Sequence, residues 1–159
     1  QKNLKKKKMK NDLKKHLLGM LGERIIAKHL RERGHSVIES LNVFDSEKDL
    51  DVDGDKVEVK TQVPFLIKNA FSISPNQLNK IKNSKFVYWI SVPPTKMPDS
   101  LAGFIFKMDP TVAKYERYKL KNGREMLAFK RNQLGMDIVD QIKDKSLLDH
   151  MKELSTSYL

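Results

Sequence analysis

Between Asp49 and Gln62, charged and apolar residues alternate on both sides of an Asp53-Gly54 pair. Alternation puts successive side chains on opposite faces of a strand, and Asp-Gly between two such runs is a strong hairpin signal. The segment predicts two antiparallel strands, about 49–53 and 56–63. With Asp53-Gly54 as the turn, Asp49 lies directly opposite Glu58. With Gly54-Asp55, Asp51 faces Glu58 and Asp49 faces Lys60. In both registers Asp49, Asp51, Glu58, Lys60 and Gln62 share one face, while Leu50, Val52, Val57 and Val59 share the other. The run Asp49-Leu50-Asp51-Val52-Asp53-Gly54 also opens like a calcium-binding loop. Such a loop needs a bidentate glutamate at its twelfth position, and that position is Lys60, so the hairpin is the better reading.

Like charges facing each other across two strands destabilise the pair, and a cation between them relieves the strain. Two or three carboxylates beside a lysine make a magnesium site, because that ion prefers hard oxygen ligands and retained waters. The bland alternative is a solvated polar face on an edge hairpin. Glu23 falls in the helical stripe Met20, Glu23, Ile26, Ala27, Leu30, which turns it toward the packed side of its helix. A carboxylate there is costly unless it is paired or binds a metal; a nearby lysine would satisfy it equally. His16 lies two turns before Glu23, and His29, His35 and His150 have no ligand spacing. The chain has no cysteine, which removes disulfides, thiolate metal sites and a cysteine nucleophile, and fits an intracellular protein. No Gly-rich phosphate loop, Ser-His-Asp grouping or zinc motif is present.

The rest of the sequence predicts one domain over 16–159 behind a basic arm at 1–15. Of the net charge of +11, the first fifteen residues supply +7, from eight lysines and one aspartate. Lys5, Lys6, Lys7, Lys8, Lys10, Lys14 and Lys15 favour a polyanion through counterion release; the alternative is a solvated, partly disordered leader. No signal-peptide apolar block follows, and no apolar run is long enough to span a membrane. A helix is expected from about Asp12 to Arg33, on Leu13, Leu17, Met20, Ala27 and Leu30, stopping at Gly34. Strands are expected at 36–41, 86–92 and 103–108, and a short helix from Ser74-Pro75 to about Asn83. A second hairpin is expected around Asn122-Gly123. Beyond Asn132, Ile138, Ile142, Leu147 and Met151 predict one or two helices. The order helix, strands, helix, strands, helix indicates an α/β fold, a mixed sheet with helices packed on it.

The run Gly22-Glu23-Arg24-Ile25-Ile26-Ala27, with Leu30 and Gly34, resembles the first helix of the PD-(D/E)xK nucleases. This is the restriction-endonuclease-like group, which includes Holliday-junction resolvases. DLDVDGDKVEVKT resembles its catalytic hairpin, and SISPNQLNKIKNSKFVYWISV the helix and strand that follow. The likeness covers about residues 20–92 and leaves 101–159 as an extension with a further hairpin and helix. It implies a restriction-endonuclease-like mixed sheet flanked by helices. The implied activity is Mg²⁺-dependent hydrolysis of DNA phosphodiester bonds, with Mn²⁺ substituting, in repair, recombination, mobile-element or restriction work. A non-catalytic nucleic-acid-binding module of the same fold and an RNA-cleaving relative are the alternatives. By the same resemblance Asp49 is the main metal ligand, Glu58 the second and Glu23 the helix carboxylate near the metal. Lys60 activates water or steadies the phosphate, Gln62 contacts the metal water or the phosphate, and Gln77 is an accessory glutamine. Two departures stand out. Lys48 replaces the family's proline, and Asp51 competes with Asp49. The lysine arm, with Arg117, Arg124 and Arg131 near Tyr115 and Tyr118, would grip the DNA backbone; the alternative for the hairpin residues is that they cap an extension packed on another subunit. Cutting both strands would require a homodimer.

Overall fold

The structure, a computed structural model, describes residues 1–39, 49–65, 68–94 and 103–156, with the backbone alone for Asp49. Helix α1 spans Lys2–Glu32, followed by strands β1 (Val37–Ile38), β2 (Asp49–Val52), β3 (Asp55–Gln62) and β4 (Ala70–Ile73). A 3₁₀ turn at Pro75–Gln77 leads into α2 (Leu78–Lys82). Then come β5 (Phe86–Ser91), β6 (Phe104–Met108), β7 (Tyr115–Lys119), β8 (Glu125–Lys130), β9 (Met136–Gln141) and α3 (Lys145–Ser155). A six-stranded sheet runs in the order β1-β2-β3-β5-β6-β9, with β3 and β5 parallel and every other neighbouring pair antiparallel. A three-stranded antiparallel sheet, β4-β8-β7, stands apart from it. The fold is α/β with a mixed central sheet flanked by helices.

Two cores lie on the two faces of the large sheet. On one, Ile26, Ala27 and Leu30 of α1 and Leu148, Met151 and Leu154 of α3 pack on Leu50, Val57, Val59, Tyr88 and Ile90. On the other, Val87, Trp89, Phe106 and Met108 meet Ile81 of α2 and Phe71, Leu127 and Phe129 of the small sheet. Phe71 stacks on Trp89 at 4.9 Å between ring centres. β5 is apolar throughout because it is covered on both faces, as expected of a central parallel strand.

The hairpin turns at Asp53-Gly54, with Val52 pairing Asp55 and Asp49 pairing Glu58. Both turn residues have positive φ, 53° and 89°, the geometry that selects an Asp-Gly pair. The alternative turn at Gly54-Asp55 is therefore not used. The second hairpin also forms, with a three-residue loop closed by Leu120 N–H to Arg124 O and by Gly123 N–H to Leu120 O.

Four expectations need correction. The lysine arm is not a separate leader: α1 begins at Lys2, ten residues before the expected start. Lysine, leucine and methionine are good helix formers, and the extension propagates a helix already packed farther along. The buried stripe of α1 runs through Leu18, Gly22, Ile26 and Leu30, leaving Leu13 and Leu17 exposed. Ile138 lies in strand β9, not in a helix, because Met136–Gln141 pairs with β6. Finally, β6 and β9 complete the central sheet, so much of the chain after residue 101 belongs to the core architecture. The expected strand at 36–41 is seen at 37–38; residues 40 and 41 lie outside the described residues. No described helix is long and apolar enough to cross a membrane.

Candidate functional site

Glu58 and Lys60 stand on the face of β3 opposite α1, beside Val87 and Trp89 of β5, their partners in the parallel register. Glu58 is 1% exposed. An ionised carboxylate so buried needs positive charge close by. Two ammonium groups supply it: Lys60 Nζ lies 3.4 Å from Glu58 Oε1, and Lys80 Nζ lies 3.7 Å from Oε2. Lys60 Nζ also donates a 2.8 Å hydrogen bond to Gln77 Oε1. The lysine side chains are 21% and 14% exposed, so both are largely withdrawn from water.

The local sequence explains this gathering. Alternation along β3 puts residues 58 and 60 on one face. Pro75 begins the turn that leads into α2, and helical spacing then places Gln77, Lys80 and Ile81 on one side. Ile81 is fully buried in the second core, which turns Gln77 and Lys80 toward the sheet. Sequence reasoning named Glu58, Lys60 and Gln77 but missed Lys80. The three-residue spacing from Gln77 puts it on the same side of α2, but only the burial of Ile81 turns that side to the sheet.

Asp49 is the direct cross-strand partner of Glu58, and alternation places it on the same face. Asp51 pairs with Lys56 and accepts the Gly54 N–H on Oδ1 at 2.9 Å, closing the turn. Gln62 is engaged by the backbone of β4. Its Nε2 donates to Ser72 O at 2.9 Å and its Oε1 accepts from Ser72 N–H at 2.7 Å. The side chain imitates a strand neighbour and ties the large sheet to β4, a different role from the expected contact with metal water or phosphate. Glu23 is half-buried on α1, the helix that packs against the Val57, Val59 and Thr61 face of β3. Among the described residues, no three histidine, cysteine or carboxylate side chains are grouped to enclose a cation; the Asp49 side chain is not among them.

The basic residues divide by surroundings. Lys5, Lys6, Lys7, Lys8, Lys10 and Lys15 are exposed along the first half of α1. Lys14 instead donates to Glu153 O at 3.4 Å and Thr156 O at 3.3 Å, binding the orphan carbonyls at the end of α3. Arg117 is ion-paired with Glu125 across the second hairpin, and Arg124 is exposed at its turn. Arg131 lies away from that hairpin's tip, with Nε on Asn69 Oδ1 at 2.8 Å and Nη1 on Ser91 Oγ at 3.3 Å. It lines a cavity of about 330 Å³ with Phe104, Phe106, Pro93 and Pro94, and burial lowers its pKa. The chain matches no protein-family model, curated protein or solved structure.

Proposed function

We propose that this chain is a metal-dependent endonuclease that hydrolyses DNA phosphodiester bonds. The observation that carries the reading is a register: Asp49 pairs with Glu58, and Lys60 stands two residues on, on the Glu58 face, held by Gln77. This is the acid, acid, lysine order of the nuclease hairpin that the sequence resembles. The element order supports a restriction-endonuclease-like core: a long helix, three antiparallel strands, then, after β4 of the small sheet, a short helix and a strand parallel to the third.

The donor chemistry suits Mg²⁺ or Mn²⁺, since Glu58 is a hard oxygen donor buried where positive charge is required. Asp49 and Glu58 would hold the ion. When bound, it supplies Lewis-acid polarisation of the phosphate and a lowered pKa for bound water. Lys60, fixed by Gln77, puts an ammonium where the phosphate gathers negative charge during displacement. Glu23 enters the reading through the resemblance alone, since α1 packs on the other face of β3, and Glu23→Gln decides whether it participates. The lysines of α1, with Arg117, Arg124 and Arg131, would contact the DNA backbone without reading sequence. A homodimer would supply the two sites that double-strand cutting needs.

One observation favours a second reading, a nucleic-acid-binding module that does not cut. Two ammonium groups compensate the buried Glu58 charge, as a purely structural ion cluster would. The discriminating experiment offers plasmid, single-stranded DNA, a four-way junction and RNA, with Mg²⁺, Mn²⁺ or EDTA. Cleavage of DNA should require the metal, and Lys60→Ala and Asp49→Asn should each lower it on the order of 100-fold or more. Binding without metal-dependent cutting of any substrate would establish the second reading. Cutting confined to RNA would move the substrate class.

A further inference from the structure

We propose that Lys80 is a built-in counter-ion at Glu58 that competes with the divalent cation and so sets how tightly the site takes it. The inference rests on the metal-site reading above and deepens it. Each Glu58 oxygen faces a different ammonium, Lys60 at Oε1 and Lys80 at Oε2. The two lysines are not equivalent. Lys60 comes from the same strand and has a 2.8 Å bond to Gln77. Lys80 reaches Glu58 from α2 across 3.7 Å, longer than the roughly 2.7–2.9 Å of a tight charge-assisted hydrogen bond. A magnesium ion would approach such an oxygen to about 2.0–2.1 Å. The ammonium supplies charge compensation without fixing the oxygen at that short range, and its four-carbon stem lets it move aside.

Charge balance gives the consequence. Among the described side chains here, Glu58 carries one negative charge and Lys60 and Lys80 carry two positive ones. A divalent cation entering alone therefore meets two ammonium groups in a largely dehydrated site, where like charges repel more strongly than in water. An incoming phosphodiester brings the missing negative charge, so cation and substrate should bind together more readily than either binds alone. Removing the Lys80 charge should loosen that requirement and strengthen cation binding in the absence of DNA.

The test measures Mn²⁺ binding to the full chain without nucleic acid, from loss of the free-ion electron paramagnetic resonance signal. Lys80→Met should bind Mn²⁺ about three- to tenfold more tightly than the unaltered protein, tenfold being roughly 1.4 kcal/mol. Lys80→Arg keeps the charge and should stay within about twofold, since the competing cation remains. Circular dichroism checks that each variant is folded, and Lys80→Gln serves if the methionine variant is not. Equal or weaker Mn²⁺ binding in a folded, charge-neutral variant would overturn the proposal while leaving the metal site standing. A complete lack of Mn²⁺ binding by the unaltered protein would sink the metal site itself, and this inference with it.

Discussion

Asp49 and Asp51 are chemically alike and two residues apart on β2, and the register pairs the first with Glu58 and the second with Lys56. Asp51 closes the turn through Gly54 N–H, and an asparagine oxygen can accept that bond equally well. Under the proposed function, Asp51→Asn should retain metal-dependent cutting within about threefold, since a neutral amide keeps the acceptor. A loss in Asp51→Asn with full activity in Asp49→Asn would move the ligand role to Asp51. Asp140 shows how another single carboxylate fastens α1 to the sheet. It accepts from Gln141 N–H at 2.8 Å and lies 2.9 Å from His29 Nδ1 and 3.4 Å from Arg33. The Gln141 bond first, then the His29 contact, hold its pKa below the usual 3.8. A depressed folded-state pKa gives stability that is present above the ordinary carboxylate value and is lost as pH falls through the depressed one. Because the side chain is 43% exposed, the contribution is modest and screened by salt. From about pH 5 to about pH 3, the thermal midpoint should therefore fall more steeply for the unaltered protein than for Asp140→Asn. Identical slopes in calorimetry would show that these contacts do not stabilise the fold.

At the scale of elements, α1 approaches β3 closely at Gly22. A Cβ on Gly22 would lie 1.8 Å from Thr61 Oγ1 and 3.0 Å from Thr61 Cβ. Threonine is β-branched and stiff at χ1, so the strand side yields little and the helix must lift from Val57 and Val59. Gly22→Ala should therefore destabilise by about 1–3 kcal/mol through overpacking. Thr61→Ala should recover part of that loss in the double variant, because the two sites touch. Additive losses in chemical denaturation would contradict the contact. This packing also shows what the sequence could reveal. The alternation around Asp53-Gly54 made β2 and β3 legible, and with them the shared face of Asp49, Glu58 and Lys60. The apolar run of β5 was equally plain. β4 left little local signal, since Ala70–Ile73 is only four residues long and gains its pairing from β8, more than fifty residues away. β9 misled because Ile138, Ile142, Leu147 and Met151 fit a helical spacing, while pairing with β6 decides the first of them. Lys80 joined the site only when Ile81 fixed the orientation of α2, a tertiary effect that side-chain spacing alone does not establish.

Across the whole molecule, the charge excess is concentrated at one end. The first fifteen residues supply +7 of the net +11, and the structure makes them the continuation of α1 rather than a separate tether. Residues 1–10 are all exposed, but Lys10 takes part in a contact and Lys14 binds the end of α3. The informative truncation therefore ends at residue 8, since a cut through residue 10 or 15 would also remove such contacts. Deleting residues 1–8 should leave the thermal midpoint within about 2 °C, because surface changes away from buried contacts rarely cost much. It removes five lysines. If these touch DNA phosphates, affinity should drop, and the slope of log affinity against log salt should become shallower by about 0.9 for each phosphate no longer neutralised. The requirement for metal should not change, since none of these residues lies on β2, β3 or α2. An unchanged salt slope would show that the lysine segment does not touch the DNA backbone and would leave the attraction to residues of the folded body. A changed metal requirement would instead mean that the helix extension reaches the site, which would make α1 part of the catalytic surface and not only a handle for DNA.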